Sequence, residues 1–292
     1  MRHMGIVISA VAVETGGGSS IEQAAAATRR AVAEAGSTPD QIDALINTGV
    51  YRDWNMVEPA MSALIQQQAG IGTARGDAPP CLAFDLMNGA SGVLNAVQVS
   101  QALLEAPTVH RVVVVSGDAH PAKSPAPQPG FPIKPVGAAL VLEKTSGPAG
   151  FGALHVSATD GRGTGNVRLP DNGITVRAGV IVDRSPETVA ELLHHAETAA
   201  SEALDVADAD PARIILLCNR STPDFPYLLA ARLGLPADSV CSDDTEGDGH
   251  TSALPAAYLA ARDNGRLDQA DLALFVAAGA GPSASAIAYR LR

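Results

Sequence analysis

Three cysteines are scattered through 292 residues, at Cys81, Cys218 and Cys241. None is close enough in sequence to another to form a zinc knuckle, and an odd number does not make a disulfide framework. They read as reduced thiols, and the expected compartment is the cytoplasm. No apolar run approaches the length of a membrane span. Basic residues are also scarce: 20 Lys and Arg stand against 31 Asp and Glu, a formal net charge of −11. That balance argues against a nucleic-acid surface, but says little about small anionic ligands that local dipoles can hold. Charged residues make up only 17% of the chain and hydrophobic ones 46%. This is a globular composition with ample core, enough for two subdomains.

The opening "GIVISAVAVETGGGSS" reads as a first strand and a loop, too short in its apolar part for a signal peptide. "SIEQAAAATRRAVAEAG" has helical spacing, a serine start and a glycine stop. Strands are expected at "IDALINTG", "CLAFDLM", "HRVVVVSGD" and "GAALVLEK", with helices at "EPAMSALIQQQAGI" and "SGVLNAVQVSQALLEA". Then the pattern begins again. "GALHVSAT", "ARIILLCN", "DSVCSDD", "LALFVAAG" and "SAIAYRLR" read as strands, and the long "SPETVAELLHHAETAASEAL", "FPYLLAARLGL" and "HTSALPAAYLAARDNG" as helices. "TPDQIDALINTG" and "ADPARIILLCN" occupy matching places after Ala-rich helices. Alternating strands and helices imply parallel sheets covered by helices, here in two duplicated halves, residues 1–149 and 150–292. The helix from Ser91 has almost no charge before Glu105, which implies burial on every side. Its N-terminus, with free N–H groups and a positive dipole end, then points into the protein, where it suits an acyl carbonyl or a thiolate.

Five segments carry a family resemblance, in order along nearly the whole chain. They are "INTGVYRDWNMVEPAMSALIQQQAGIG", "AFDLMNGASG", "VGAALVLEK", "GDGHTSALPAAYLAARDNGRL" and "FVAAGAGPSASAIAYRL". Together they resemble the thiolase superfamily, and within it β-ketoacyl-ACP synthase III and its acyltransferase relatives. The resemblance implies a five-layered α-β-α-β-α sandwich of two duplicated halves, and a dimer joined through "CLAFDLM". It also implies an acyl thioester, on CoA or on the phosphopantetheine of an acyl carrier protein, as substrate, with no permanently bound cofactor and no metal.

The family's catalytic trio is Cys, His and Asn, and none of the three stands here. Counting from Asp85 in the family's F-D-x-x-x-x-C-x-G, the cysteine position falls on Ala90. The residue after the strand "IILLC", where the family has His, is Asn219, and the family's Asn falls on His250. The arm between first strand and first helix, which in the family helps to cover the pantetheine tunnel, is mostly missing. Ala90 keeps the backbone N–H that helps hold an oxyanion and loses the thiol. It reads as a packed position, a natural loss or an introduced change; divergence at all three positions favours natural loss. Ser91 is either a helix-start serine bonded to backbone or a displaced nucleophile, though one helical step turns it by roughly 100° from Ala90. His250, with Asp248 close by, is either structural or the base that deprotonates an acceptor. Asn219 caps a turn, holds His250 or donates to an acyl oxygen. The turn "AAGAGPS" is expected to set the Ala280 N–H opposite that of Ala90 as an oxyanion hole, with Gly279, Gly281 and Asn88 lining the substrate.

Cys218 should face away from the site by strand alternation, and Cys81 should be core. His194 and His195 are adjacent on a helix and face different ways, a poor metal pair. Trp54 and Met56, with Asp53 and Asn55, lie in the loop where family dimers meet; Trp54 is an interface anchor or a substrate wall. Two functions follow. One is a ketosynthase III-like acyltransferase of polyketide or fatty-acid-type secondary metabolism. The other is a non-catalytic partner that shapes the tunnel of a sister ketosynthase. Expected partners are a second copy or that sister, and CoA or acyl carrier protein, with neither nucleic acid nor membrane.

Overall fold

The computed structural model describes residues 5–56, 58–72, 80–121, 131–159, 167–168, 180–182, 185–242, 247–279 and 281–292. The first sheet takes its strands from β1 (Gly5–Glu14), β2 (Ala44–Asn47), β3 (Leu82–Asp85), β4 (Arg111–Asp118) and β5 (Val136–Thr145), in the order β1-β5-β4-β2-β3. The second is built from β6 (Gly150–Ala158), β9 (Ile214–Cys218), β10 (Val240–Cys241), β11 (Leu272–Ala278) and β12 (Ser283–Arg290), in the order β6-β12-β11-β9-β10. Strand for strand, the two orders are the same. A short antiparallel pair, β7 (Val167–Arg168) and β8 (Ile181–Val182), is an addition that the sequence did not suggest.

The sheets are mixed rather than parallel, which corrects the reading from strand–helix alternation. Strands β4, β2 and β3 run parallel, as do β11, β9 and β10. By contrast, β5 is antiparallel to β4 and β1, and β12 to β11 and β6. The reason is connectivity. Among the described residues no helix separates β4 from β5 or β11 from β12, and only a crossover returns the chain in the same direction.

Helices α1 (Ser20–Glu34) and α2 (Met61–Ala69) cover the outer face of the first sheet, and α4 (Pro186–Ala207) and α5 (Phe225–Arg232) that of the second. Between the sheets lie α3 (Gly92–Glu105) and α6 (Ala253–Asp263), each touching both. The five layers that the resemblance implies are therefore present. Strand alternation explains why the central strands are apolar throughout. Val112 and Val114 pack into the middle layer and Val113 and Val115 under α1 and α2. Likewise Ile215 and Leu217 face the middle, while Ile214, Leu216 and Cys218 face α4 and α5.

Burial of α3 is less complete than its sequence implies. Its first turns are enclosed, but Gln98, Ala102 and Glu105 are exposed. The later turns border a groove of about 820 Å³ that also involves β6 and α4. The buried half is the N-terminal one, next to the site.

Helix α1 begins with a capping box. Ser19 Oγ accepts from the Glu22 N–H at 3.1 Å, and Glu22 Oε2 accepts from the Ser19 N–H at 2.8 Å. The helix then lies directly on glycines of β4 and β5. A Cβ on Gly137 would stand 2.5 Å from the Gln23 carbonyl carbon, and one on Gly117 would strike the Ser20 carbonyl. Gly137→Ala should therefore push α1 off the sheet and destabilise the fold by about 1–3 kcal/mol, read from denaturant unfolding.

At the seam of α4 and β6, His195 Nδ1 lies 2.8 Å from Ser157 Oγ, and its Nε2 is buried without a partner. Burial pushes this imidazole below its ordinary range; neighbouring His194 adds to the effect and Glu191 opposes it. The unfolded chain thus binds this proton first, so the contribution is lost as pH falls through the ordinary histidine range near ~6.5. Thermal unfolding at pH 5.5 should come at a lower temperature than at pH 7.5, and the gap should narrow in His195→Gln.

Candidate active site

The site gathers where the parallel strands end and the middle helices begin, the usual place for ligands in α/β sheets. On the first half, β3 ends at Asp85, a turn follows, and α3 starts after Ser91. Asp85 holds this corner together. Its carboxylate accepts from the Met61 and Ser62 N–H groups at the start of α2, and from Asn47 Nδ2 at 3.1 Å. Ala90 is buried, 1% exposed. Opposite it is Gly279, whose φ of +126° suits glycine and whose missing side chain leaves room beside the Ala90 methyl. The Ala90 N–H donates to the Gly279 carbonyl at 3.0 Å. This N–H, expected to hold an oxyanion, is thus already engaged.

The strongest electrostatic feature is a pair that the sequence did not connect. His250 opens the single turn before α6, buried and in the left-handed region at φ +49°. Such a backbone costs a non-glycine residue about 1–2 kcal/mol. It is held there by Asp248, whose Oδ1 accepts from the His250 N–H at 2.8 Å. The ring lies against Tyr51, with centroids 4.9 Å apart. Its Nδ1 is 3.1 Å from Oδ2 of Asp118, the last residue of β4, which is fully buried. The Val50 and Tyr51 N–H groups donate to the other carboxylate oxygen at 2.9 and 2.7 Å. The Thr251 N–H and hydroxyl donate to Oδ2. Burial alone would raise the Asp118 carboxyl. Attraction to His250 and the hydrogen bonds from His250, Thr251 and Tyr51 outweigh it, and hold the carboxyl below the usual range. An ionised carboxylate on Nδ1 fixes the tautomer that leaves Nε2 basic.

Asn219 bonds to backbone, as a cap does. Its Oδ1 accepts from the Ala278 N–H at 2.8 Å and its Nδ2 donates to the Ala278 carbonyl at 3.1 Å. The side chain copies a strand's backbone and clamps the end of β11, from which Gly279 reaches Ala90. It does not hold His250. Ala90, Asn219 and Gly279 thus form one contact chain, and the His250 turn packs against α3.

The remaining candidates separate. Ser91 Oγ is buried and unpartnered, neither capping α3 nor bonded to a base. Asn88 is exposed and donates to Asn95 Oδ1 at 2.8 Å. Gly281 carries φ +78° in the turn before β12, and its carbonyl accepts from the Ser283 N–H. Ala280 lies outside the described residues. Trp54 is exposed and Met56 half-buried, while Asp53, from the same loop, accepts from the Ser20 N–H and hydroxyl at the start of α1. The three cysteines are buried thiols. Burial pushes the Cys81 thiol up to about 11 and that of Cys218 still higher, Asp43 and Asp248 respectively adding to the shift. Among the described residues, no helix is long and apolar enough to cross a membrane.

Asp118 is not among the residues that the sequence singled out. Its signal was present: an acid ending the otherwise apolar "HRVVVVSGD". A carboxylate at the end of a strand buried on both faces needs partners, though only the fold shows that His250 is one.

No family model matches the chain. A β-ketoacyl-[acyl-carrier-protein] synthase III of Symbiobacterium thermophilum is 30% identical over 291 residues, covering 93% of this chain and 83% of the relative. A second such synthase, from Streptomyces coelicolor, is 27% identical over 206 residues, 68% of this chain and 60% of its own length. In three dimensions, the 3-oxoacyl-(acyl carrier protein) synthase III, FabH, of Pseudomonas aeruginosa superposes with a TM-score of 0.82 over 98% of both chains at 16% identity. The sheets, the two enclosed helix starts and this likeness along almost the entire sequence agree: the chain belongs to the β-ketoacyl-ACP synthase III family of the thiolase superfamily.

Proposed function

We propose that this protein is an acyltransferase that accepts an acyl thioester, from acyl-CoA or acyl carrier protein, with His250 as its general base. The observation that carries the reading is the buried Asp118–His250 pair at the mouth of the middle helices. A carboxylate on Nδ1 makes Nε2 a proton acceptor, which suits removal of a proton from an acceptor group. It suits less well the neutral donor pair that stabilises an enolate in decarboxylative condensation, because Asn219 spends its amide on Ala278. The relatives' names supply the acyl carrier protein; the thioester and a polyketide or fatty-acid-type setting are what we propose.

Ala90 supports a second reading. An alanine at the family's nucleophile position fits a non-catalytic subunit that shapes the tunnel of a sister ketosynthase. Substitution separates the two. Ala90→Cys places a thiol at a helix start, where the dipole lowers its pKa. It should take up an acyl group from acetyl-, hexanoyl- or dodecanoyl-CoA, seen as added mass on the intact protein. His250→Ala in that background should slow onward transfer by roughly 10²–10⁴-fold. An Ala90→Cys protein left unlabelled by all three donors would sink the enzyme reading and favour the partner subunit.

We also propose a dimer. The outer edge of the first sheet is β3, and Leu82 at its start and Met87 just past its end are 52% and 53% exposed. Such an edge is an open template for a second strand. Pairing β3 with its twofold copy would cover both side chains and continue the sheet across subunits. Light scattering at micromolar concentration should give about twice the chain mass, and Leu82→Lys should shift it toward the monomer.

A further inference from the structure

Resting on the reading of this protein as an acyltransferase, we infer that transfer occurs in one step, within a ternary complex of acyl thioester and a hydroxyl-bearing acceptor. No acyl-enzyme is formed. The inference comes from a census of nucleophiles around the base. Position 90 offers a methyl group. Ser91 Oγ is buried and has no hydrogen-bond partner, so nothing is placed to take its proton. Cys218 faces α4 and α5, away from the middle layer, and donates to the carbonyl of Asn219. Cys241 is buried and donates to the Ala257 carbonyl, and Cys81 packs on the far side of the first sheet. Asn219 is held by both backbone groups of Ala278. Each of these side chains is thus absent, turned away or unactivated.

The base, in contrast, is fully built. Asp118 is ionised and saturated with donors, His250 is fixed at Nδ1, and Nε2 makes no hydrogen bond among the described residues. An oriented base, with none of these side chains set to be deprotonated by it, is what a direct displacement needs. The base also indicates the acceptor class. A hydroxyl gains most from proton removal as it attacks, because its own pKa lies far above neutral.

The step balances without a co-reactant. The acceptor oxygen attacks the thioester carbonyl carbon as its proton passes to His250 Nε2. The tetrahedral intermediate then collapses, the C–S bond breaks, and the leaving thiolate takes the proton from His250. An ester and a free thiol result, and Asp118 remains a carboxylate throughout.

The test uses the whole unaltered chain with acetyl-, hexanoyl- and dodecanoyl-CoA, and n-butanol as the probe acceptor. Mass spectrometry should find no acyl adduct on any peptide. CoA release should show no burst equal to the enzyme concentration, and labelled CoA should not exchange into acyl-CoA when butanol is absent. Butyl ester should form with intersecting double-reciprocal plots, and His250→Ala should lower its rate by roughly 10²-fold or more. An acyl adduct, including one on Ser91 or His250, overturns the inference, as does a CoA burst or CoA exchange. Failure to form ester while Ala90→Cys takes up acyl groups overturns it alone. If Ala90→Cys also remains unacylated, the acyltransferase reading falls with it.

Discussion

The carboxylate of Asp118 is the point on which the site depends. It is fully buried at the end of β4, and a buried charge is tolerated only when paired and hydrogen-bonded. Its donors come from both halves of the molecule: the Val50 and Tyr51 backbone from the first, Thr251 and His250 from the second. Nearby, Ser116 and Ser252 join the same two elements by a 2.6 Å hydrogen bond between hydroxyls. One anion therefore fastens the start of α6 to the first sheet and aims the ring that we assign as base. Removing it would leave unsatisfied donors and an unanchored His250 together, so stability and function are linked at this residue.

Around that anchor, polar side chains mostly serve as builders. Asp85 secures the start of α2, Asp53 the start of α1, Asp248 the strained backbone of His250, and Asn219 the end of β11. Each satisfies backbone groups that a helix start or strand end leaves open. The functional reading therefore rests on few groups. At the position where the motif resemblance puts the nucleophile, this chain has a methyl. Where that resemblance implies an imidazole, the chain has an amide bound to backbone. Its imidazole stands at the third position, with a carboxylate behind it. Such an arrangement keeps proton transfer and gives up covalent capture, and the direct-transfer scheme follows from that combination.

The sequence alone determined the strands and helices of the two main sheets, their duplication and their approximate positions. Periodicity records which faces are buried, and the same period-two and helical patterns recur in both halves. Its motif resemblance also implies that Ala90, Asn219 and His250 occupy the positions of the family's trio. Only the tertiary structure decided strand direction, since antiparallel β5 and β12 depend on connections that alternation does not encode. It alone decided the partners of the site residues. Asp118 and His250 are 132 positions apart, and Asn219 and Ala278 are 59 apart. Hydrogen-bond partners so distant are chosen by how two sheets and two helix starts converge, a matter of packing geometry that no local pattern of residues contains.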